Sequence, residues 1–277
     1  MTLSSSHSLD HVVIAVDDLA RSIEQYRALG FTVYPGGDHQ GRSSHNALIV
    51  LADGSYLELK AWRDPAPAER WWATLERSGE GLVDFALLSK APEEELAAAR
   101  ARGLVTLKGP VPGERVRPDG RHLKWTTARH DTPDVPFLCG DITPRNLRVP
   151  DAPELLRHAN GASGVALITV AVRDLDVSLA RWHALLAGDL QLSAASEDAA
   201  HGVRSVRIAL GGFDVILQGL TAHHGSARLA EHLATRGEGP VSVVLRGLNG
   251  PLGEPAHRHG LTGIGGLVDG SACGTAS

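Results

Sequence analysis

Cysteine, a surplus of basic charge and long apolar runs are all missing or scarce in this chain of 277 residues. Its two cysteines, Cys139 and Cys273, are too few for a disulfide framework, and their separation is not that of paired metal ligands. A net charge of −5 without any run of Lys and Arg argues against a nucleic-acid-binding surface. No stretch approaches the roughly 20 apolar residues that a membrane-spanning helix needs.

The opening segment, MTLSSSHSLDH, lacks both the basic and the apolar regions of a signal peptide. With 43% hydrophobic and 21% charged residues, the composition is that of an ordinary globular protein. We therefore expect a cytoplasmic protein that binds neither nucleic acid nor membrane. Its expected partner is a small-molecule substrate or ligand, and a homodimer is left open.

A strand followed by a helix near the N-terminus is the pattern that organises the chain. The β-branched apolar run from His11 to Val16 predicts a buried strand. Asp18 is placed to cap a helix, in which apolar residues recur at helical spacing until Gly30 ends it. The same pattern returns at residues 163–188, which indicates an internal repeat.

Two successive units with the order β-α-β-β-β are predicted in the first half of the chain. The first covers residues 11–62 and contains Asp53-Gly54, a strong signal for a two-residue hairpin turn. A short helix at 69–78 separates it from the second unit, which covers residues 81–139.

The second half of the chain repeats this organisation less completely. A third unit begins at Ser163, and a fourth begins at Val241 but has no convincing helix after its strand. We expect an N-terminal domain at 1–145, a proline-containing linker at 146–160 and a C-terminal domain at 161–277.

These units resemble the vicinal oxygen chelate superfamily, in its glyoxalase-like branch. The resemblance lies in three stretches: LDHVVIAVDDLARSIEQYRALGF, GGDHQGRSSHNALIVLADGSYLELKAW, and the later RPDG, LKW and VPFL. It implies an α+β fold of tandem βαβββ modules that pair into two cupped, incomplete mixed β-barrels, the fourth module being degenerate. It also implies a divalent metal in the cup, and members range from glyoxalases and dioxygenases to drug-binding proteins without catalysis.

The resemblance places three candidate metal ligands in the N-terminal half. His11 and Glu58 occupy the first-strand and last-strand positions of the first unit, and Asp84 occupies the His11 position of the second unit. Imidazole and carboxylate suit Zn, Ni, Mn or Fe, and Glu58 or a metal-bound water is the expected base. Leu138 stands where a fourth ligand is expected, so three ligands plus water, or no metal at all, stay open. A core histidine and a solvent-facing glutamate beside Lys60 are the structural alternative.

Four residues are expected to bind substrate: His45, Asn46, Arg117 and Trp125. A two-residue hairpin turn would pair Ile49 with Glu58, which turns His45 toward the same face. Arg117 and Trp125 offer a basic group and an aromatic plate for an oxygen-rich ligand. The C-terminal half has no such set, and its histidines at 223, 224, 257 and 259 are interpreted as exposed loop residues.

The leading functional hypothesis is a divalent-metal-dependent lyase or isomerase that acts on a small oxygen-rich molecule. The metal would chelate two adjacent substrate oxygens and stabilise an oxyanionic transition state. One alternative is a metal-free protein that binds a drug-like or antibiotic-like compound. A second is an extradiol dioxygenase, with Fe held by His11, His45 and Glu58.

Overall fold

Two mixed β-sheets flanked by helices form the α+β fold of this protein. The structure is a computed structural model that describes residues 7–186, 190–221 and 226–263. No helix in these ranges is long and apolar enough to cross a membrane.

Eight strands from the first half of the chain close into a barrel. They are β1 (Leu9–Ala15), β2 (Tyr34–His39), β3 (Ser44–Val50), β4 (Tyr56–Trp62), β5 (Gly81–Leu88), β6 (Lys108–Val116), β7 (His122–Arg129) and β8 (Phe137–Asp141). Their order around the barrel is β1-β4-β3-β2-β6-β7-β8-β5. The expectation of an incomplete barrel is therefore wrong for this sheet. The first four strands meet the last four at two junctions, and both are paired: β1 pairs with β5, and β2 pairs with β6.

Helices cover the outside of the barrel and its ends. They are α1 (Leu19–Ala28), α2 (Arg70–Ser78), α3 (Pro92–Ala101) and the short α4 (Arg145–Arg148). Asp18 caps α1 as predicted, because its side chain accepts a hydrogen bond from the Arg21 backbone N–H. In β1, Val12 and Ile14 join the large core under the helices, whereas Val13 joins a separate apolar cluster that includes Trp71 of α2. β1 therefore buries apolar side chains on both faces.

The second sheet contains the remaining strands of the described chain. Its elements are β9 (Gly164–Ala171), α5 (Leu175–Leu186), β10 (Gln191–Leu192), β11 (Ser196–Asp198), β12 (Val203–Ala209), β13 (Asp214–Leu220), α6 (Ala227–Thr235), β14 (Gly239–Arg246) and β15 (Leu261–Gly263). The strand order is β10-β12-β13-β9-β14-β15, with β11 beside β12. No helix lies between β14 and β15, as the sequence predicted.

The two sheets share one hydrophobic core and several polar contacts. Trp182 of α5 is fully buried, stacks on Phe85 of β5 and donates its indole N–H to the Asp134 carbonyl oxygen (2.8 Å). Arg102 donates to the Ala184 carbonyl oxygen (2.8 Å) near the end of α5. Part of the predicted linker forms α4 and contributes to the barrel, while the domain boundaries at 145 and 160 stay a prediction.

The hairpin between β3 and β4 has a three-residue loop, so the two-residue turn is wrong. The Leu51 backbone N–H donates to the Ser55 carbonyl oxygen (2.8 Å), and Gly54 has a φ of 85°. Asp53 is held in place by the start of β9, because its carboxylate accepts from the Val165 backbone N–H (2.9 Å).

The longer loop shifts the strand register by one residue and thereby reverses the predicted faces. Leu48 pairs with Glu58 and Asn46 pairs with Lys60. Asn46 therefore shares the face of Glu58, whereas His45 and Ile49 point to the opposite face.

Candidate functional site

A cavity of about 410 Å³ lies inside the barrel. Its inner wall carries a cluster of polar and charged side chains: His11, His39, Asn46, Glu58, Lys60, Arg115, Arg129 and Arg148. Aromatic side chains form another part of the lining: Tyr56, Trp71, Trp125 and Phe137. Cations outnumber anions in this inner cluster, so the cavity favours a negatively charged, partly apolar ligand.

Glu58 lies at the centre of the polar cluster and is only 5% exposed. Its Oε1 accepts a hydrogen bond from Asn46 Nδ2 (2.7 Å) and lies 3.8 Å from Lys60 Nζ. His11 Nε2 lies 3.7 Å from Oε2, and His39 Nε2 lies 3.8 Å from Oε1. Burial by itself would raise the pKa of Glu58, but its neighbours, with the Lys60 charge first and the Asn46 hydrogen bond among them, lower it to about 2. Glu58 is therefore ionised at neutral pH.

His11 is oriented by Asp10, its neighbour in β1. Its Nδ1 donates to Asp10 Oδ2 (2.6 Å), and its ring stacks on Tyr56 at 4.6 Å between centroids. Burial opposes ionisation of Asp10, but Arg148 overcomes this and holds the pKa of Asp10 well below its usual range. Since an ionised carboxylate only accepts hydrogen bonds, Nδ1 carries a hydrogen and Nε2 faces Glu58.

Asp10 reaches His11 because β1 is irregular at this point. The pairing of β1 with β5 shifts register between Leu9 and His11, which leaves Asp10 as an extra residue. Its carboxylate accepts from Arg148 Nη1 (2.8 Å), Arg148 Nη2 (2.9 Å) and Arg145 Nη1 (2.5 Å). Asp10 is thus a fully buried anion with two guanidinium partners.

Lys60 places an ammonium group between Glu58 and His39. His39 Nδ1 donates to the Ser44 carbonyl oxygen (3.1 Å), which leaves Nε2 as an acceptor 3.4 Å from Lys60 Nζ. Burial and the positive charge of Lys60 hold the pKa of His39 well below its usual range, so the imidazole is neutral. Burial also lowers the pKa of Lys60, and the charge of Glu58 opposes that shift. The ion pair with Glu58 thus places a cation inside the cluster.

The donor atoms of this cavity do not fit the divalent metal that the resemblance implies. Within the described ranges, one set of three donor atoms lies within 4.8 Å of one another: Asp10, His11 and Cys139. Asp10 is already bound by arginines, and burial raises the pKa of the Cys139 thiol, which stays protonated. His11, His39 and Glu58 are the remaining donors, but the Lys60 ammonium lies 3.4 Å from His39 Nε2 and 3.8 Å from Glu58 Oε1. A lysine cation thus lies among the donor atoms that a metal would require.

Asp84 lies away from the predicted pair. Its carboxylate is fully buried and accepts hydrogen bonds from Arg70 Nη2, Trp71 Nε1 (3.0 Å) and the Phe85 backbone N–H (2.9 Å). It is not among the residues that line the cavity. The structure brings His11 and Glu58 together but uses Asp84 to hold Arg70 and Trp71, which do line the cavity.

The four residues predicted to bind substrate divide into two groups. Asn46 and Trp125 line the cavity, and Trp125 meets His39 edge-on at 5.9 Å between centroids. His45 faces away because of the register shift. Arg117 lies outside the lining and donates to the Tyr34 hydroxyl oxygen (2.6 Å).

Sequence reasoning missed five residues that line the cavity and one that supports it from behind His11. The lining residues are His39, Lys60, Arg115, Arg129 and Arg148, and the supporting residue is Asp10. Lys60 had a usable signal, because it follows Glu58 by two positions and so shares its face of β4. In the C-terminal part, His259 is buried and not exposed, and it lies 2.9 Å from the Tyr26 hydroxyl. His223 and His224 lie outside the described residues.

Neighbouring residues of β3 give a matched test of the observed register. We expect Asn46→Ala to raise the pKa of Glu58 from about 2, because Glu58 loses its 2.7 Å hydrogen bond. Folding lowers the pKa of Glu58 from its ordinary value of 4.5 to about 2. The ionised carboxylate therefore stabilises the fold above pH 4.5, and this stabilisation is lost as the pH falls toward 2.

The Asn46 variant should therefore lose about 1–3 kcal/mol at pH 7 and unfold at a higher pH during acid titration. His45→Ala should change neither quantity appreciably, and denaturant titrations at several pH values measure both variants. A larger effect from His45 than from Asn46 would contradict the register.

Comparisons with known proteins agree with the barrel architecture. A family model described as a glyoxalase-like domain matches residues 9–186. No curated protein matches the sequence.

Solved structures share the fold at low sequence identity. A hypothetical protein from Staphylococcus aureus is 14% identical with a TM-score of 0.65, over 92% of this chain and 97% of that one. A mutant of 4-hydroxymandelate synthase from Streptomyces coelicolor is 14% identical with a TM-score of 0.64, over 87% of this chain and 71% of that one. A xylose isomerase-like TIM barrel/4-hydroxyphenylpyruvate dioxygenase fusion protein is 19% identical with a TM-score of 0.52, over 88% of this chain and 36% of that one.

The matched span of the family model contains the whole barrel and every residue that lines the cavity. On that evidence the chain belongs to the glyoxalase-like domain family, within the vicinal oxygen chelate superfamily.

Proposed function

We propose that the barrel cavity is the active site of a lyase-type or isomerase-type enzyme that moves a proton on a small oxygen-rich anion. The observation that carries this proposal is the buried series Asp10, His11 and Glu58, which meets the Lys60 ammonium inside the cavity. These groups can remove a proton and stabilise the resulting negative charge without a resident metal.

His11 is the residue we assign to proton transfer. Imidazole is the side chain best suited to take and return a proton near neutral pH, and Nε2 is the atom that faces the cavity. Asp10 acts through His11 as a positioning residue, because it fixes the tautomer and stabilises an imidazolium. A pKa of about 2 makes Glu58 a weak base, so we assign it to stabilising the protonated His11 and holding Lys60.

Lys60 is the residue we assign to charge stabilisation. When a C–H bond next to a carbonyl breaks, its proton goes to His11 Nε2 and its electron pair moves to the carbonyl oxygen. An ammonium group fixed in a buried cavity stabilises that oxyanion more than it would in water. A substrate with two adjacent oxygens, such as a 2-oxo acid, suits this arrangement.

Two other functions rank below this one. A metal-free binding protein would use the same cavity, and only the absence of turnover would distinguish it. One of the similar structures carries a dioxygenase in its name, which suggests oxidative chemistry. The iron set predicted for that chemistry includes His45, which faces away from Glu58, so the side chains favour proton transfer.

We also interpret the architecture as tandem βαβββ modules. The element order β-α-β-β-β recurs in β1 to β4 with α1 and in β5 to β8 with α3, which supports this interpretation. The second sheet would then hold a third module and a degenerate fourth, with the proposed active site confined to the N-terminal domain.

Solvent-deuterium exchange tests the proposed function without knowledge of the natural substrate. The protein is incubated in D2O with pyruvate, 2-oxobutanoate and 2-oxoglutarate, whose protons next to the ketone can be abstracted, and the proton signals are followed by NMR. We expect the protein to accelerate exchange for at least one compound, and the His45→Asn variant to retain that rate. Saturable binding of these compounds without exchange would instead support the binding protein.

A further inference from the structure

Arg129 is a cation of the cavity wall that has no anionic partner. It ends β7, and its guanidinium carbon lies 4.2 Å from the centroid of the Trp71 ring and 4.6 Å from that of Phe137. Its Nε is buried without a hydrogen-bond partner. Across the described ranges, no hydrogen bond or ion pair involves this side chain.

The other basic residues that line the cavity all contact an oxygen atom. Arg148 binds Asp10 and Asp141, Lys60 lies near Glu58, and Arg70 binds Asp84. The remaining contacts are Arg115 to the Asn46 side chain, Arg42 to Glu69, and Lys108 to Asp131. Arg129 is the exception among the basic residues that line the cavity within the described chain.

Arg129 is partly buried, and withdrawing a charge from water without an anionic partner carries a cost. Burial lowers the pKa of Arg129 to about 10, with Asp84 opposing the shift and Arg70 and Arg42 adding to it. The guanidinium is therefore still charged at neutral pH. Two N–H groups of a guanidinium form a fork that matches the two oxygens of a carboxylate. A ligand carboxylate would therefore supply the anionic partner that Arg129 lacks.

We propose that Arg129 binds the carboxylate of the cavity's ligand, and that Trp71 and Phe137 contact the apolar part of that ligand. The ligand class is a small carboxylate with a planar apolar body, because the guanidinium lies directly against two aromatic rings. This inference rests on the proposed function only in identifying the ligand as the substrate.

Benzoate and its neutral counterpart benzamide test this inference by calorimetry. We expect wild-type protein to bind benzoate more tightly than benzamide, and Arg129→Gln to weaken benzoate binding at least about tenfold while leaving benzamide unchanged. Arg63→Gln is the matched control, because Arg63 is exposed and pairs with Asp38 outside the cavity. It should bind benzoate as wild type does.

Arg129→Lys provides a second variant that keeps the charge but loses the fork, and it should bind benzoate with intermediate affinity. Equal binding of benzoate and benzamide by wild type, or unchanged benzoate binding in both Arg129 variants, would overturn the inference. Tighter binding of inorganic phosphate than of benzoate would overturn the carboxylate assignment.

The two proposals fail separately. Benzoate binding that depends on Arg129, without deuterium exchange on any 2-oxo acid, would refute the proposed function and leave this inference intact. Deuterium exchange by the wild-type protein, together with normal benzoate binding by the Arg129→Gln variant, would support the proposed function and refute this inference.

Discussion

Replacing Asp10 with asparagine is expected to lower the free energy of unfolding by about 3–5 kcal/mol. The substitution keeps the shape of the side chain but removes an anion that is fully buried. Arg148, which is 3% exposed, then keeps only Asp141 as a charged partner. The loss is large because Arg145 and Arg148 are then left with one carboxylate, Asp141, between two guanidinium groups, and not because the ion pair itself contributes that much.

Denaturant titration measures this loss, and Asp38→Asn is the matched control. Asp38 pairs with Arg63 on the surface, where both side chains are more than half exposed, so its replacement should cost less than about 1 kcal/mol. Equal stability of the two variants would show that the Asp10 pair does not form as described.

Replacing His11 with asparagine is expected to reduce the rate of deuterium exchange by about 10²–10⁴-fold. Asparagine retains a polar side chain in the strand but cannot take up a proton near neutral pH. Benzoate binding should persist, because the proposed carboxylate partner is Arg129. NMR exchange rates and calorimetry on the same preparations measure the two quantities.

The pH–rate profile gives a further readout for His11. If this residue moves the proton, the profile of the His11→Asn variant should differ in shape from that of the wild type. If the His11→Asn variant exchanges deuterium within about threefold of the wild-type rate, His11 does not take the proton and another group must do so.

The convergence of His11 and Glu58 was predicted through the family resemblance, which assigns them to the first and last strands of one unit. Each residue interrupts an apolar strand, and the strand-helix pattern that repeats near Ser163 identified the unit to which both belong. Parallel pairing of β1 with β4 then brings the two side chains within 3.7 Å.

The face assignments of the hairpin failed for a reason that lies outside the hairpin. Asp53-Gly54 is a good local signal for a two-residue turn, but Asp53 is bound to the Val165 backbone N–H at the start of β9. That contact is long-range and favours a longer loop. Because side chains alternate along a strand, one extra loop residue turns His45 away from the face of Glu58 and turns Asn46 toward it.

The charge of the cavity was the hardest feature to predict. Lys60 entered the sequence analysis only as the neighbour of a solvent-facing Glu58 in the structural alternative, although its position two residues after Glu58 places both on one face. Arg148 could not be found from sequence pattern, because it reaches Asp10 from a segment that was interpreted as linker. Spacing within one strand is visible in a sequence, whereas contacts between distant segments are not.

Elemental analysis combined with exchange kinetics tests most directly whether Lys60 supplies the positive charge of this site. We predict far less than one equivalent of Zn, Ni, Mn or Fe per purified chain, and an exchange rate that is unchanged after dialysis against a chelator. The contrary result would be about one equivalent of metal per chain, lost together with exchange on chelation and lost again in the Glu58→Gln variant.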